Sequence, residues 1–397
     1  MSLPTIKLRK DQERRLRAGH LWIYSNEVDT AATPLRDFSP GDPVAILSQR
    51  GKWLANGYVN PRSLICARVL SEDPRQILDS GFLRKRLADA LTLRERRYTR
   101  PFYRLVFGES DRLPGLVVDR YGDYLAVQIT TAGMQRFQED IVRVLTELLA
   151  PRGIVLRNDS AVRELEGLDL HVEIAAGDVP ESVAVEESGC RFEVSLTGGQ
   201  KTGWFFDQAA NRDRMVTYVE GKRVLDVCSY VGGWGVRAAV AGAKSVTCVD
   251  ASEDALGRVN GNAALNGVQD RVSVSAGDAF EVLRELRQQR ERFDVVMLDP
   301  PAFIKRKKDL TEGTLAYRRL NQTALEILND EGLLITSSCS FHMDRGRLLH
   351  TAQQAGRRAG RFLRLLEYGQ QAPDHPVHPA IDETGYLKTL FLWSAPL

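Results

Sequence analysis

Hydrophobic and polar positions fall into three patterns along the chain. From about residue 190 onward, short apolar runs alternate with amphipathic stretches. The runs 223–228, 245–250, 271–275, 293–298 and 332–337 repeat one form, rich in Val, Leu and Ile, as a sheet covered on both faces requires. Between them 253–265 and 279–290 read as helices, and the late runs 362–366 and 387–393 are expected to close the sheet. This alternation predicts a doubly wound α/β domain. The middle of the chain mixes types. Residues 116–118 and 125–129 flank Gly122-Asp123 and predict a hairpin. Phe137, Ile141, Val144, Leu145 and Leu148 then sit at helical spacing, stopped by Pro151 and Gly153, and a strand returns over 153–157. At the front, short apolar runs at 44–47 and 64–70 lie between turn signals such as Pro40-Gly41 and Asn60-Pro61, the pattern of a small β-barrel. The division expected is a barrel over 1–75, an α+β unit over 76–190 and the α/β domain over 191–397.

Composition sharpens this picture only through its distribution. The 397 residues allow two to four domains, and 43% apolar with 27% charged residues exclude wholesale disorder. The net charge is only +2, but up to Arg104 there are 20 Lys/Arg against 11 Asp/Glu, while the remainder holds 34 against 41. A basic front end on a slightly acidic body suggests a polyanion-binding module. Residues 79–97 read as a helix in which Arg84, Lys85, Arg86, Arg94, Arg96 and Arg97 face solvent and Leu83, Leu87, Leu91 and Leu93 face inward. The N-terminus turns charged before a secretory signal could form, and the uncharged run 332–343 is too short to span a bilayer as a helix. Five scattered cysteines without a CxxC pair argue against a disulfide framework and a zinc site. The expectation is a soluble cytoplasmic protein with no membrane association and no metal.

Ligands of doubly wound sheets bind beyond the carboxyl ends of the strands, so chemistry is sought there. The first strand runs into Asp226-Val227-Cys228-Ser229-Tyr230-Val231-Gly232-Gly233-Trp234-Gly235, a turn whose glycines admit a ligand close to the backbone. The second ends in Asp250, placed to accept from ribose hydroxyls, and the third in Asp278-Ala279, where an acid can accept from an adenine amino group. Gly233, Gly235 and Ala238 also fit the dinucleotide fingerprint with Asp250 as its acid, so a dehydrogenase is a second reading. Asp226 before the glycines favours S-adenosylmethionine, because it would repel a pyrophosphate and tolerate a cationic methionine moiety. Each acid alone could be a helix N-cap.

The fourth strand ends in Asp299-Pro300-Pro301-Ala302-Phe303, where a carboxylate held by two prolines can accept from the exocyclic amine or ring N–H of a base. Lys305 and the three basic residues after it could meet phosphates or form a solvated loop. The fifth strand leads into Ser338-Cys339-Ser340-Phe341-His342. Carbon 5 of a pyrimidine becomes nucleophilic once a thiolate adds to carbon 6. An ordinary thiol, with a pKa of about 8.5, is only ~3% ionised at neutral pH, so such a site must favour the thiolate. Cys339 is the candidate nucleophile; the bland alternative is a small buried residue. Cys66 and Cys248 read as core, and Cys228 as lining the turn.

With these segments in order, the chain resembles the bacterial ribosomal RNA large-subunit methyltransferase I family, S-adenosylmethionine-dependent 5-methylcytosine enzymes. Arg17-Ala18-Gly19-His20-Leu21-Trp22-Ile23-Tyr24-Ser25 and Gly41-Asp42-Pro43-Val44 are similar to an RNA-binding PUA domain. Lys201-Thr202-Gly203-Trp204-Phe205-Phe206-Asp207-Gln208 resembles the family's stretch that packs over the cofactor, and Asp374-His375-Pro376 with Tyr386-Leu387-Lys388 its C-terminal segment. The resemblance implies a PUA-like barrel, a small α+β domain and a Rossmann-like methyltransferase domain acting on ribosomal RNA, and a homodimer. It implies Cys339 and Asp299 as catalytic residues. Phe205, Gln208, Asp226, Ser229, Gly232, Gly233, Asp250, Asp278, Ala279 and Asp299 would hold S-adenosylmethionine, and Pro300, Pro301, Phe303 and Lys305 the target nucleotide. Ala302 stands where many RNA cytosine methyltransferases carry a second cysteine. Removal of the carbon 5 proton then falls to Asp299, His342, His375 or water, and 5-methyluracil formation stays open. So do methylation of a purine or exocyclic amine and a non-catalytic RNA-binding assembly factor.

Overall fold

The computed structural model describes residues 3–200 and 202–397, in two units. Lys201 of the stretch noted above lies outside the described residues. One unit takes the chain up to Val183 together with Ser195–Phe206 and Asp374–Thr384; the other takes Ala184–Val194, Asp207–Pro373 and Gly385–Leu397.

The first unit holds two five-stranded sheets. In the first sheet, β1 (Thr5–Lys7), a short helix α1 (Glu13–Arg17), β2 (Trp22–Ile23), β3 (Asp42–Leu47), β4 (Trp53–Val59) and β5 (Ala67–Ser71) follow in sequence. The strand order is β1-β3-β4-β5-β2, and an antiparallel bridge from Leu8 to Val28 ties the chain after β2 back to the end of β1. Its core contains Ile6, Val44, Ile46, Val59 and Cys66, joined by Ile381 from the late excursion. Gly57 is required where β4 meets β5, since a Cβ there would lie 2.0 Å from the Arg68 carbonyl oxygen.

The second sheet follows helix α2 (Ser80–Glu95), with β6 (Phe102–Phe107), β7 (Leu116–Tyr121), β8 (Tyr124–Ile129), α3 (Ala132–Gln135), α4 (Gln138–Leu149), β9 (Gly153–Asn158) and β10 (His171–Gly177). The order is β10-β9-β8-β7-β6, antiparallel except where the α4 crossover makes β8 and β9 parallel. The Gly122-Asp123 hairpin forms as expected, whereas β10, an edge strand with exposed Val172 and Ile174, carried no signal that was read. Helix α2 corrects the expected charge face. Arg94 is buried and Leu93 half exposed, because the Arg94 guanidinium bonds both Asp111 carboxylate oxygens and the backbone oxygens of Arg104 and Asp374. Asp374 also bonds His375 Nδ1 at 2.8 Å and accepts from the Arg104 amide, so this excursion is held by hydrogen bonds from Arg94 and Arg104 as well as by Ile381.

The second unit opens with the hairpin β11 (Val183–Glu187) and β12 (Cys190–Val194), then α5 (Ala209–Met215) and the alternating domain. That domain runs β13 (Arg223–Val227), α6 (Gly235–Val240), β14 (Ser245–Asp250), α7 (Glu253–Leu265), β15 (Val272–Ala276), α8 (Ala279–Gln288), β16 (Phe293–Leu298), α9 (Leu310–Glu326), β17 (Leu328–Ser338), α10 (Arg345–Arg358), β18 (Arg361–Gln370) and β19 (Lys388–Pro396). The strand order is β15-β14-β13-β16-β17-β19-β18, parallel through β17, with β19 antiparallel to both neighbours. The five central runs are strands within a few residues of their expected bounds. The last two are longer than expected, and β19 lies between β17 and β18. This inserted strand departs from the 3-2-1-4-5-6 order of dinucleotide-binding sheets. The order reverses between β13 and β16, which opens a crevice at their carboxyl ends.

The β11–β12 hairpin is fastened to the second unit by polar contacts. Asn262 and Asn266 of α7 accept from the Glu193 and Arg191 amides, and Glu187 forms a bidentate pair with Arg212, both bonds 2.6 Å. Arg237 also bonds Glu187, at 3.2 Å, and Asp213. Glu187, Arg212 and Arg237 are all buried. Removing the shared anion leaves two guanidiniums without it, so Glu187→Ala should lower stability by about 3–5 kcal/mol, read from urea unfolding of the full chain.

Candidate active site

The site is built where β13, β14 and β16 end. The turn after β13 takes left-handed backbone at Cys228, Tyr230 and Gly232, which turns successive amides toward the neighbouring strand ends. Tyr230 N donates to Asp250 Oδ2 at 2.8 Å, and Gly235 N donates to Asp226 Oδ2 at 2.8 Å. Gly235 has no room for a side chain, because a Cβ would lie 2.4 Å from Cys248 Sγ and 3.1 Å from Asp226 Oδ2. Asp299 at the end of β16 accepts from Gln208 Nε2 at 3.0 Å and from Trp234 Nε1 at 3.1 Å. One indole thus ties the glycine turn to the fourth strand.

These acids converge. Asp250, Asp299, Asp226 and Asp278 all act on the Cys228 thiol, which burial first and then these charges push well above its ordinary value. Burial likewise raises Asp226 to about 8, with Asp299 and Asp250 adding to the shift and the Gly235 amide opposing it. Asp299 is raised for the same leading reason. Two buried polar atoms, Asp226 Oδ1 and Ser229 Oγ, have no hydrogen-bond partner among the described residues. Unpartnered buried oxygens beside a glycine turn and a set of carboxyls fit a ligand that brings N–H groups and positive charge, as S-adenosylmethionine does, better than one that brings phosphates.

The expected residues divide as follows. Asp226 lies in β13, Ser229, Gly232 and Gly233 lie in the turn after it, and Asp250 and Asp299 stand at the ends of β14 and β16. Gln208 is buried and spends its amide on Asp299. Asp278 is exposed and caps α8, accepting from Phe280 and Glu281 amides through Oδ1, with Ala279 the first helical residue. The N-cap reading therefore holds for Asp278, while Asp226, Asp250 and Asp299 are not caps; Ser252 caps α7. Phe205 is half-buried in the first unit and His375 is buried there.

A second cluster surrounds the end of β17. Pro300 is buried and Pro301 exposed, and the loop they begin is tied down when Ile304 N donates to Ser340 Oγ at 3.2 Å. Tyr317 of α9 joins Ser338 and Ser340 through its hydroxyl, at 2.9 and 3.1 Å, and packs on Phe303 at 4.8 Å. The half-buried Cys339 lies between those serines, so the Asp-Pro-Pro loop and the Ser-Cys-Ser segment form one structure. Lys305 to Lys308 are exposed, and of these Arg306 pairs with Asp309. Cys66 and Cys248 are core, as expected. Two residues here were not picked out as functional from the sequence. Trp234 gave no signal, whereas Lys388 did, as a charge opening an apolar strand; it is buried and donates to Ser340 and Tyr386 oxygens at 2.6 and 2.7 Å.

Fold order, glycine turn and acid set together define an S-adenosylmethionine-dependent methyltransferase. The family model described under that name matches residues 162–392, and one described as a PUA-like domain matches 6–72. The chain belongs to the ribosomal RNA large subunit methyltransferase I family. Relatives of that name from Tolumonas auensis and Vibrio cholerae are 38% and 39% identical, each aligned over 97% of this chain and 98% of its own. In fold, the chain is similar to a SAM-dependent methyltransferase from Streptococcus mutans (TM-score 0.83, 20% identity, 98% of this chain and 100% of the other). It is equally similar to SMU.776, solved with SAH (TM-score 0.83, 21% identity, 99% and 100%).

A carboxyl raised to about 8 is largely protonated at neutral pH, and a cationic ligand favours its ionised form. Affinity for S-adenosylmethionine should therefore rise with pH from 6 to 8, with proton release on binding. Calorimetry in buffers of different ionisation enthalpy checks this, and Asp226→Asn should abolish the proton release.

Proposed function

We propose that the protein methylates carbon 5 of a cytosine in large-subunit ribosomal RNA through a covalent adduct at Cys339. The observation that carries this reading is Cys339 itself, set between Ser338 and Ser340 in the segment bound to the Asp299-Pro300-Pro301 loop beside the acid cluster. The substrate class follows the names of the relatives, and a basic front end suits duplex RNA, whose deep groove leaves phosphate and shape as the main handles. The target base must leave its stack to reach the thiol, at a cost of a few kcal/mol.

Asp299, whose oxygens keep lone pairs beyond the Gln208 and Trp234 bonds, orients the base by accepting from its exocyclic amine, with Pro300, Pro301 and Phe303 shaping the loop and Lys305 meeting a phosphate. The Cys339 thiolate forms a bond to carbon 6, and the displaced double-bond pair makes carbon 5 nucleophilic. S-adenosylmethionine, which Asp226, Ser229, Gly232, Gly233, Asp250 and Asp278 would hold, would supply the methyl group that carbon 5 takes, its sulfonium leaving as the neutral thioether of S-adenosylhomocysteine. Carbon 5 then gives its proton to a base, the returning pair rebuilds the double bond, and the thiolate leaves carbon 6. Within the second unit Asp299 and His342 are the side-chain candidates for that base. The three-part division at residues 75 and 190 belongs to the same proposal; the three larger sheets, drawn from residues 5–71, 102–177 and 223–396, support it, while the β11–β12 hairpin spans the second boundary.

Methyl transfer to undermethylated ribosomal RNA should yield 5-methylcytosine on nucleoside analysis, and Cys339→Ala should lower the rate by roughly 10³-fold or more. RNA carrying 5-fluorocytosine should form an adduct with the wild type and none with the variant. Label in 5-methyluracil would move the target to uracil. Full turnover by Cys339→Ala, or label in a purine, would remove the covalent step and leave Asp299 as a positioning group only.

A further inference from the structure

We propose that Lys388 is the fixed cation that holds Cys339 as a thiolate, a positioning residue for the nucleophile; this rests on the covalent reading above.

Lys388 is the first residue of β19, paired with Ser338 of β17 on one side and Gln370 of β18 on the other. A lysine there has neighbouring strands on both sides and is 7% exposed. The strand that follows is buried through Leu390, Phe391 and Leu392, so packing alone would favour an apolar residue. Its ammonium donates to the Ser340 oxygen at 2.6 Å and the Tyr386 oxygen at 2.7 Å. The residue thus brackets Cys339, with its backbone opposite residue 338 and its head group bonded to residue 340.

Two carbonyls supply acceptors but no charge, and a buried ammonium needs an anion to offset its lost hydration. The ionisable groups acting on Lys388 are Cys339 and Asp344. Asp344 is exposed and already engaged at the start of α10, accepting from Arg347 N at 2.8 Å and pairing with its guanidinium at 3.7 Å. Cys339 is the remaining group. Tyr317 of α9 also acts on this group; burial raises its hydroxyl and the two serines lower it, so that neighbour is neutral at physiological pH. Burial pulls Lys388 down to about 8 and Cys339 and Asp344 oppose it, which leaves the head group mostly charged at pH 7. A lysine that served only as a clamp on two carbonyls would hold the strand end in place and leave the thiol's titration unchanged.

The test follows iodoacetamide alkylation of Cys339 in the full chain from pH 6 to 10, read on the Cys339 peptide by mass spectrometry. The wild-type midpoint should fall at least one pH unit below the ordinary thiol value of about 8.5. Lys388→Met should raise the midpoint by a unit or more and slow alkylation at pH 7 about tenfold, and Lys388→Arg should restore most of the rate. A wild-type midpoint at or above the ordinary value overturns the proposal without any variant, and so does a folded Lys388→Met with an unchanged profile. Turnover of Cys339→Ala is measured separately. If it persists while the alkylation profile is as expected, the charge pair stands and the nucleophile reading falls; the reverse pattern removes Lys388 alone.

Discussion

Three carboxyl groups, Asp226, Asp250 and Asp299, meet where three parallel strands end, and much of the second unit is arranged around that crowding. Burial disfavours the ionised forms of Asp226 and Asp299 first of all, and neighbouring carboxylates add to it, Asp299 and Asp250 acting on Asp226 and Asp207 on Asp299. The turn after β13 answers with directed donors: the Tyr230 and Gly235 amides, and the Trp234 indole that reaches across to Asp299. Left-handed backbone at Cys228 and Tyr230, uncommon for residues with side chains, is what allows the chain to aim those amides. Asp226 Oδ1 and Ser229 Oγ stay without a partner among the described residues, room that a bound ligand can fill.

A second constraint comes from the antiparallel strand β19. By entering between β17 and β18 it places Lys388 and Thr389 against Ser338 and Ser337. Thr389 bonds Ser337 and Asn211, Asn211 bonds Gln208, and Gln208 bonds Asp299. A continuous polar chain therefore links Asp299 to the strand that leads into Cys339. The Tyr317 hydroxyl and Ile304 amide close the loop from the other side. Cys339, Asp299 and the turn after β13 are thus tied into one network, so a shift in any of them moves the geometry of the others.

Much of the architecture could be read from local pattern. Strands buried on both faces leave near-continuous apolar runs, and the five parallel strands were legible for that reason. Elements that depend on distant partners were not. Edge strand β10 alternates only over His171 to Ile174, and its apolar positions Val172 and Ile174 are exposed, so no buried face marks it. Arg94 looked solvated because a guanidinium's partners, here Asp111 and the backbone of Arg104 and Asp374, cannot be seen from one helix. The segment Asp374–Thr384 follows the alternating domain in sequence yet clusters with the first unit, held by Ile381 and Asp374.

The same division runs through the site. By itself the sequence determined which residue types stand at each strand end, because period and turn chemistry are local: Asp226 and the glycines, Asp250, Asp278, Asp299 with its prolines, and Cys339. It could not assign each acid its duty. Asp278 caps a helix while Asp226 and Asp250 receive amides from a turn lying between them, and only the folded path of that turn decides which carboxyl meets which N–H. Nor could it place Lys388 beside Cys339, since 49 positions separate them in the chain and the contact exists only because the last strand enters the sheet beside the fifth. Hydrophobic pattern specifies the strands; the electrostatics of the site arise from how their ends are brought together.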